Sequence, residues 1–136
     1  MNDREREQWV NNDYRNNPRR STAASARGDV VTAHELELFI ENDADLYHRQ
    51  FVPIVKNLVT KMARGVYDPK KGAKLFMYLM ESGAKEYVKQ CAPDTPWHEM
   101  FDVPTRRIAA ANFEKEFRIE AKLGNYDSLL PKKYQK

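Results

Sequence analysis

The chain has 136 residues, of which 41% are hydrophobic and 32% charged, with a formal net charge of +3. That length suits one domain with a real core, and the mild charge permits contact with nucleic acid without demanding it. One cysteine excludes an internal disulfide framework, and neither a signal-peptide run nor the roughly 18 apolar residues of a membrane span occurs, so a soluble protein of a reducing cytoplasm is expected.

Residues 1–31 read as a polar, basic, flexible arm. Arg15, Arg19, Arg20 and Arg27 stand together with no acid between them, in a stretch with almost nothing to bury. Such a segment cannot offset its ordering entropy alone. It serves either as a solvated linker or as an arm that folds on a partner, with Trp9 and Tyr14 as anchors.

Order is expected from 32 to 130. Thr32-Ala33-His34-Glu35 matches a capping box, and Leu36, Phe39 and Ile40 give the first helix one apolar face. Glu35, Glu37, Glu41, Asp43 and Asp45 make this opening acidic; the helix dipole accounts for part of the run. Asn42-Asp43 or Asp45 is placed to interrupt and recap it. Tyr47, Phe51, Ile54, Leu58 and Met62 then recur at helical spacing, with Pro53 inside the pattern predicting a kink or a fresh start. Gly65 is a stop. Asp68-Pro69 is a cap followed by a first-turn proline, and the helix it opens should run to about Cys91. Its small Gly83 and Ala84 predict close approach of another helix. Thr95-Pro96 should cap a short turn that sets Trp97, Met100 and Phe101 against the core. A last long helix follows from Pro104, with Ala109, Phe113, Phe117 and Ala121 as its stripe and Gly124 as its stop. Tyr126, Leu129 and Leu130 dock the chain's end before a basic tail, 131–136. The architecture expected is therefore all-α, a bundle of about four helices.

Chemistry has little footing in these residues. His34, His48 and His98 lie far apart, with no metal-ligand spacing to one another or to Cys91. Cys91, near a helix C-terminus, reads as a partly buried structural thiol. The segment from Gly65 to Lys74 has glycines and lysines but not the spacing of a phosphate-binding loop. No catalytic constellation, metal or cofactor is expected. What remains is electrostatic contrast. Lys56, Lys61, Arg64, Lys70, Lys71 and Lys74 converge on one helix connection, and Arg106 and Arg107 are candidates for the same surface. Against them stands an acidic face of Glu37, Glu41, Asp43 and Asp45.

The block from Glu35 to Gln90, above all Glu35–Asp45, the run PIVKNL beginning at Pro53, Gly65–Asp68 and Lys74–Tyr87, together with WHEMFDVPTRRIAAANFEKEF, resembles a family of short uncharacterised proteins encoded by bacteriophages. The resemblance covers about 32–121 and carries over no catalytic residue. It implies the cytoplasm of a bacterial host and an accessory role there. The function expected is a non-enzymatic binding protein that modulates a host protein or nucleoprotein machine. The alternative is direct nucleic-acid binding through the arm and the basic turn. Neither reading requires a membrane, and oligomeric state is open.

Overall fold

The computed structural model describes residues 30–135; the arm candidates Trp9, Arg15, Arg19 and Arg20 lie outside them. Among the described residues there is no strand. Four long helices build the fold: α1 (Val30–Asn42), α3 (Val52–Ala63), α4 (Pro69–Cys91) and α6 (Val103–Lys122). Two short ones, α2 (Ala44–Leu46) and α5 (Trp97–Met100), complete the chain, with 3-10 turns at Asp127–Leu129 and Lys132–Tyr134. Helices α4 and α6 lie antiparallel, and α1 packs across both.

Local chemistry explains most boundaries. Asp43 ends α1 and caps α2, its Oδ1 accepting from the Leu46 N–H at 3.0 Å. Asp68 caps α4 through the Lys70 N–H at 3.0 Å, and Asp102 caps α6 through the Thr105 N–H at 2.9 Å. Each of the two is followed by a proline in the first turn, where the missing N–H costs nothing. Helix α3 stops in a paired motif: Val66 N–H donates to Lys61 O and Gly65 N–H to Met62 O. That geometry needs a left-handed residue, and Gly65 supplies it at φ 74°.

Three local expectations change. Val30 and Val31 are already helical, so Thr32 lies inside α1 and does not cap it. Pro96, not Thr95, precedes α5, and no side chain caps that helix. Cys91 is exposed, because α4 turns its other side inward. Within the basic tail, residues 132–134 form a 3-10 turn, with Gln135 Nε2 donating to Leu130 O at 2.7 Å.

At Pro53 the expected fresh start is present, since α3 begins at Val52 with Pro53 in its first turn. What the sequence does not show is the junction: α2 runs into α3 without a break through a π-helical turn, Tyr47–Phe51, in which Val52 N–H reaches back to Tyr47 O. The wider turn accommodates the pyrrolidine ring and absorbs its missing donor. It also inserts one residue into the helical repeat. Buried positions therefore run Leu46, Val55, Leu58 and Val59, while Tyr47 and Ile54 slip toward the margin.

The core is aromatic where α4 meets α6. Phe76 stacks on Phe113 at 5.8 Å between ring centroids and lies 6.3 Å from Phe117, with Phe51 closing on Phe113 at 5.7 Å. Where α4 meets α1, Gly83 lets the backbones approach: a Cβ there would lie 2.5 Å from Ile40 Cδ1 and Cγ1. Ile40 is fully buried, so a larger side chain at 83 must displace it. Gly83→Val should therefore destabilise the fold by about 3 kcal/mol in urea denaturation. Gly65→Ala meets no atom within 4 Å and should cost only the left-handed strain, roughly 1–2 kcal/mol. Equal costs for the two would contradict this packing.

Candidate functional site: two grooves flanking one helix

At about 100° per residue, Arg106, Arg107, Ala110 and Ala111 centre on one side of α6, and Asn112, Glu116, Ile119 and Glu120 on the opposite side. Each side forms one wall of a groove, and the two grooves differ in sign.

The basic groove, about 470 Å³, lies between α4 and α6. Its cations are Lys70, Lys74, Arg106 and Arg107; Ala73, Ala110 and Ala111 keep it open, and Tyr78 stands on its wall, 57% exposed. The antiparallel pairing of α4 with α6 lays residues 70–81 of one helix along residues 106–111 of the other, with Lys70 and Lys74 toward one end of the groove and Arg106 and Arg107 toward the other. Arg106 is held in place: its Nε donates to Phe101 O at 2.9 Å, and its guanidinium lies 4.9 Å from the Trp97 ring centroid. Lys85 contacts the same ring at 5.1 Å and pairs with Glu81 at 3.1 Å. Glu81, the one acid lining this groove, is thereby partly neutralised. The sequence-predicted patch is thus divided. Lys70, Lys74, Arg106 and Arg107 are gathered, whereas Lys56, Lys61, Arg64 and Lys71 do not line the groove.

The acidic groove, about 700 Å³, lies between α1, the π-helical turn and the other flank of α6. Tyr47, Phe51, Phe113, Phe117 and Tyr126 give it an aromatic lining, and Glu37, Glu41, Glu116 and Glu120 its charge, with His34 and Lys115 as the basic groups. The predicted acidic face is divided as well. Glu37 accepts from Asn112 Nδ2 at 3.1 Å, bridging α1 to α6, and Glu41 lines the groove. Asp43 is occupied by the α2 cap and by Gln90 Nε2 at 3.3 Å, and Asp45 pairs with Arg49 at 3.8 Å. Neither lines the groove.

The carboxylates act on one another and on Tyr126. Partial burial raises the Glu41 carboxyl above its ordinary range; His34 opposes the shift and Glu116 adds to it. Tyr126 is pushed up to about 12, first by burial and then by Glu120, Tyr47, Glu116 and Glu41. Glu116 and Glu120 escaped the sequence reading. Their signal was an acidic flank on the same helix that carries Arg106 and Arg107.

Between the grooves, Glu114 is buried at 4% exposure in the interior. Its Oε2 accepts from Arg118 Nε at 2.7 Å. Its Oε1 and the buried Tyr67 hydroxyl both lack a well-formed partner. Burial first, then the charge of Glu114 and its weak hydrogen bond, hold the Tyr67 phenol far above its ordinary range and protonated. A Cβ at Gly72 would collide with that hydroxyl, so the glycine makes room for it. The cluster is a polar tie between α4's entry and α6.

Among the described residues, no group of three or more His, Cys, Asp and Glu is placed to hold a metal ion, and no helix is long and apolar enough to cross a membrane. Set against family models, curated proteins and solved structures, the chain matches none of them.

The raised Glu41 carboxyl has a thermodynamic consequence. A carboxyl that binds its proton more tightly when folded stabilises the fold at low pH and loses that contribution as pH rises through its titration. Glu41→Gln removes the penalty on the ionised form. The stability difference, variant minus wild type, should therefore grow more positive between pH 4 and pH 7 in urea denaturation; a flat difference would contradict the placement of Glu41.

Proposed function

We propose that this is a non-enzymatic binding protein that docks on a protein or nucleoprotein of a bacterial host, and that the acidic groove is its protein-docking surface. The observation that carries this reading is the combination in one groove of five aromatic side chains with four carboxylates and a single lysine. Aromatic anchors supply most of the energy in protein interfaces, and charge on the rim selects the partner and speeds encounter. The complementary ligand is a basic segment of the partner that places an apolar side chain among Tyr47, Phe51 and Tyr126, above the buried Phe113 and Phe117, and its lysines or arginines against Glu41, Glu116 and Glu120. The resemblance to bacteriophage proteins supports a host protein as its source.

The raised Glu41 beside Glu116 also invites comparison with an acid–base pair, in which neighbouring carboxyls have divergent pKa values. Glu41 is exposed, however, and the groove provides an aromatic floor rather than a nucleophile. Binding accounts for these features more directly.

A photo-crosslinking side chain at Ile119, 43% exposed on the groove wall, should capture a basic peptide of the partner from bacterial lysate. The double substitution Glu41→Lys with Glu116→Lys should abolish that product, while Lys74→Glu with Arg107→Glu leaves the capture intact. Failure to capture a protein, or capture that survives the reversal of Glu41 and Glu116, would overturn the proposal.

A further inference from the structure

The basic groove lies on the opposite flank of α6, and what it binds is independent of whether the acidic groove holds a protein. We infer that it is a binding site for single-stranded nucleic acid, with the phosphates held by Lys70, Lys74, Arg106 and Arg107 and a base stacked on Tyr78. Three observations point to this ligand.

The first is the source of the charge. Two cations come from α4 and two from α6, so they stand on both walls of a channel rather than along one solvated helix face. The dipole of a helix explains lysines in a last turn, but Lys70 and Lys74 lie at the start of α4, and Arg106 and Arg107 at the start of α6. The dipole thus gives Lys70, Lys74 and Arg107 no reason to be there. Arg106 has a local role at Phe101 O and the Trp97 ring.

The second is order. Arg106 is fixed by the Phe101 carbonyl and the Trp97 face before any ligand arrives, so less side-chain entropy is lost on contact with a phosphate. The third is Tyr78. It is 57% exposed and contributes nothing to the core, yet it lines the groove beside Lys74 and Glu81. An aromatic face next to a row of cations matches the needs of a single strand, whose unpaired bases offer a π surface while its backbone follows the charge. A duplex buries its base faces within its own stack and cannot use Tyr78 in this way. The groove, at about 470 Å³ with an alanine floor, admits an unpaired nucleotide rather than the width of a helix.

The test is fluorescence anisotropy of the full chain with a labelled oligothymidylate and with a duplex of equal length, across a salt series. Three or four neutralised phosphates on a single strand predict a slope of log K against log salt of about −2 to −3, a loss of about 20- to 50-fold between 50 and 200 mM. Lys74→Ala with Arg107→Ala should reduce that slope by roughly 1.4. Tyr78→Ala should weaken binding about fivefold or more with the slope unchanged, and Tyr78→Phe should restore it. Lys56→Ala with Arg64→Ala, outside the groove, should leave both quantities as in the wild type. Circular dichroism and urea melts establish that each variant is folded; Arg106 is left in place because it also holds Phe101 and Trp97. Three results would each overturn the assignment: no binding at low salt, a duplex bound as tightly as the single strand, or inorganic polyphosphate competing equally while Tyr78→Ala has no effect. The last of these would mark a generic polyanion surface.

Discussion

The contact of Phe76 with Phe113 and Phe117 is the constraint on which the rest of the structure depends. It joins the two longest helices along antiparallel axes and sets the rotation of α6 about its own axis. That rotation decides which residues of α6 face each flank. With Phe113 and Phe117 pointed inward, Arg107 and Ala111 are turned to one side and Glu116 and Glu120 to the other, while Arg106 continues the inward stripe at the start of the helix. Removing one such ring from a packed core costs about 3–5 kcal/mol, so the register is strongly held. The electrostatics of both grooves thus follow from a hydrophobic contact that carries no charge.

Secondary contacts hold the arrangement at its ends. At one end, Tyr87 meets Phe101 edge-on at 5.0 Å and Phe39 at 5.2 Å, linking α1, α4 and the entry to α6. At the other, Tyr126 stacks on Phe117 at 5.9 Å, returning the end of the chain to the bundle, and Tyr67 lies 5.5 Å from the same ring. Glu114 pairs with Arg118 at 2.7 Å and places its charge beside the Tyr67 hydroxyl. A buried carboxylate of this kind contributes orientation more than net stability, since its desolvation offsets much of its attraction. The basic groove remains open because its floor is alanine, and the acidic groove because rings line its sides and leave space between them.

Features set by near neighbours were legible in the sequence. The caps at Asp43 and Asp68, the stop at Gly65, the extent of α4 and the close approach at Gly83 all depend on residues within a turn or on an unambiguous periodicity. Features that require two distant segments were not. A π-helical turn at Tyr47–Phe51 cannot be seen in a period-3.6 pattern, because it consists of a one-residue slip in that pattern. The sequence offers a basic patch from Lys56 to Lys74 with Arg106 and Arg107 as candidates for the same surface; the fold gathers Lys70, Lys74, Arg106 and Arg107 across α4 and α6 and leaves Lys56, Lys61, Arg64 and Lys71 aside. The acidic face was read as continuous from Glu37 to Asp45, but Asp43 and Asp45 were consumed by a cap and an ion pair, and Glu116 and Glu120 took their place. Glu114, an acid inside an apolar stripe, becomes intelligible only when Arg118 and Tyr67 are seen beside it.

Helix α6 separates two surfaces of opposite sign, and each is proposed to take its own ligand. Backbone amide mapping by nuclear magnetic resonance, with an oligothymidylate titrated into labelled protein at low salt, distinguishes them. Shifts are expected at residues 70–81 and 106–111, with residues 34–41 and 116–126 unmoved. Shifts centred on residues 56–64, or spread equally over both flanks of α6, would contradict that separation.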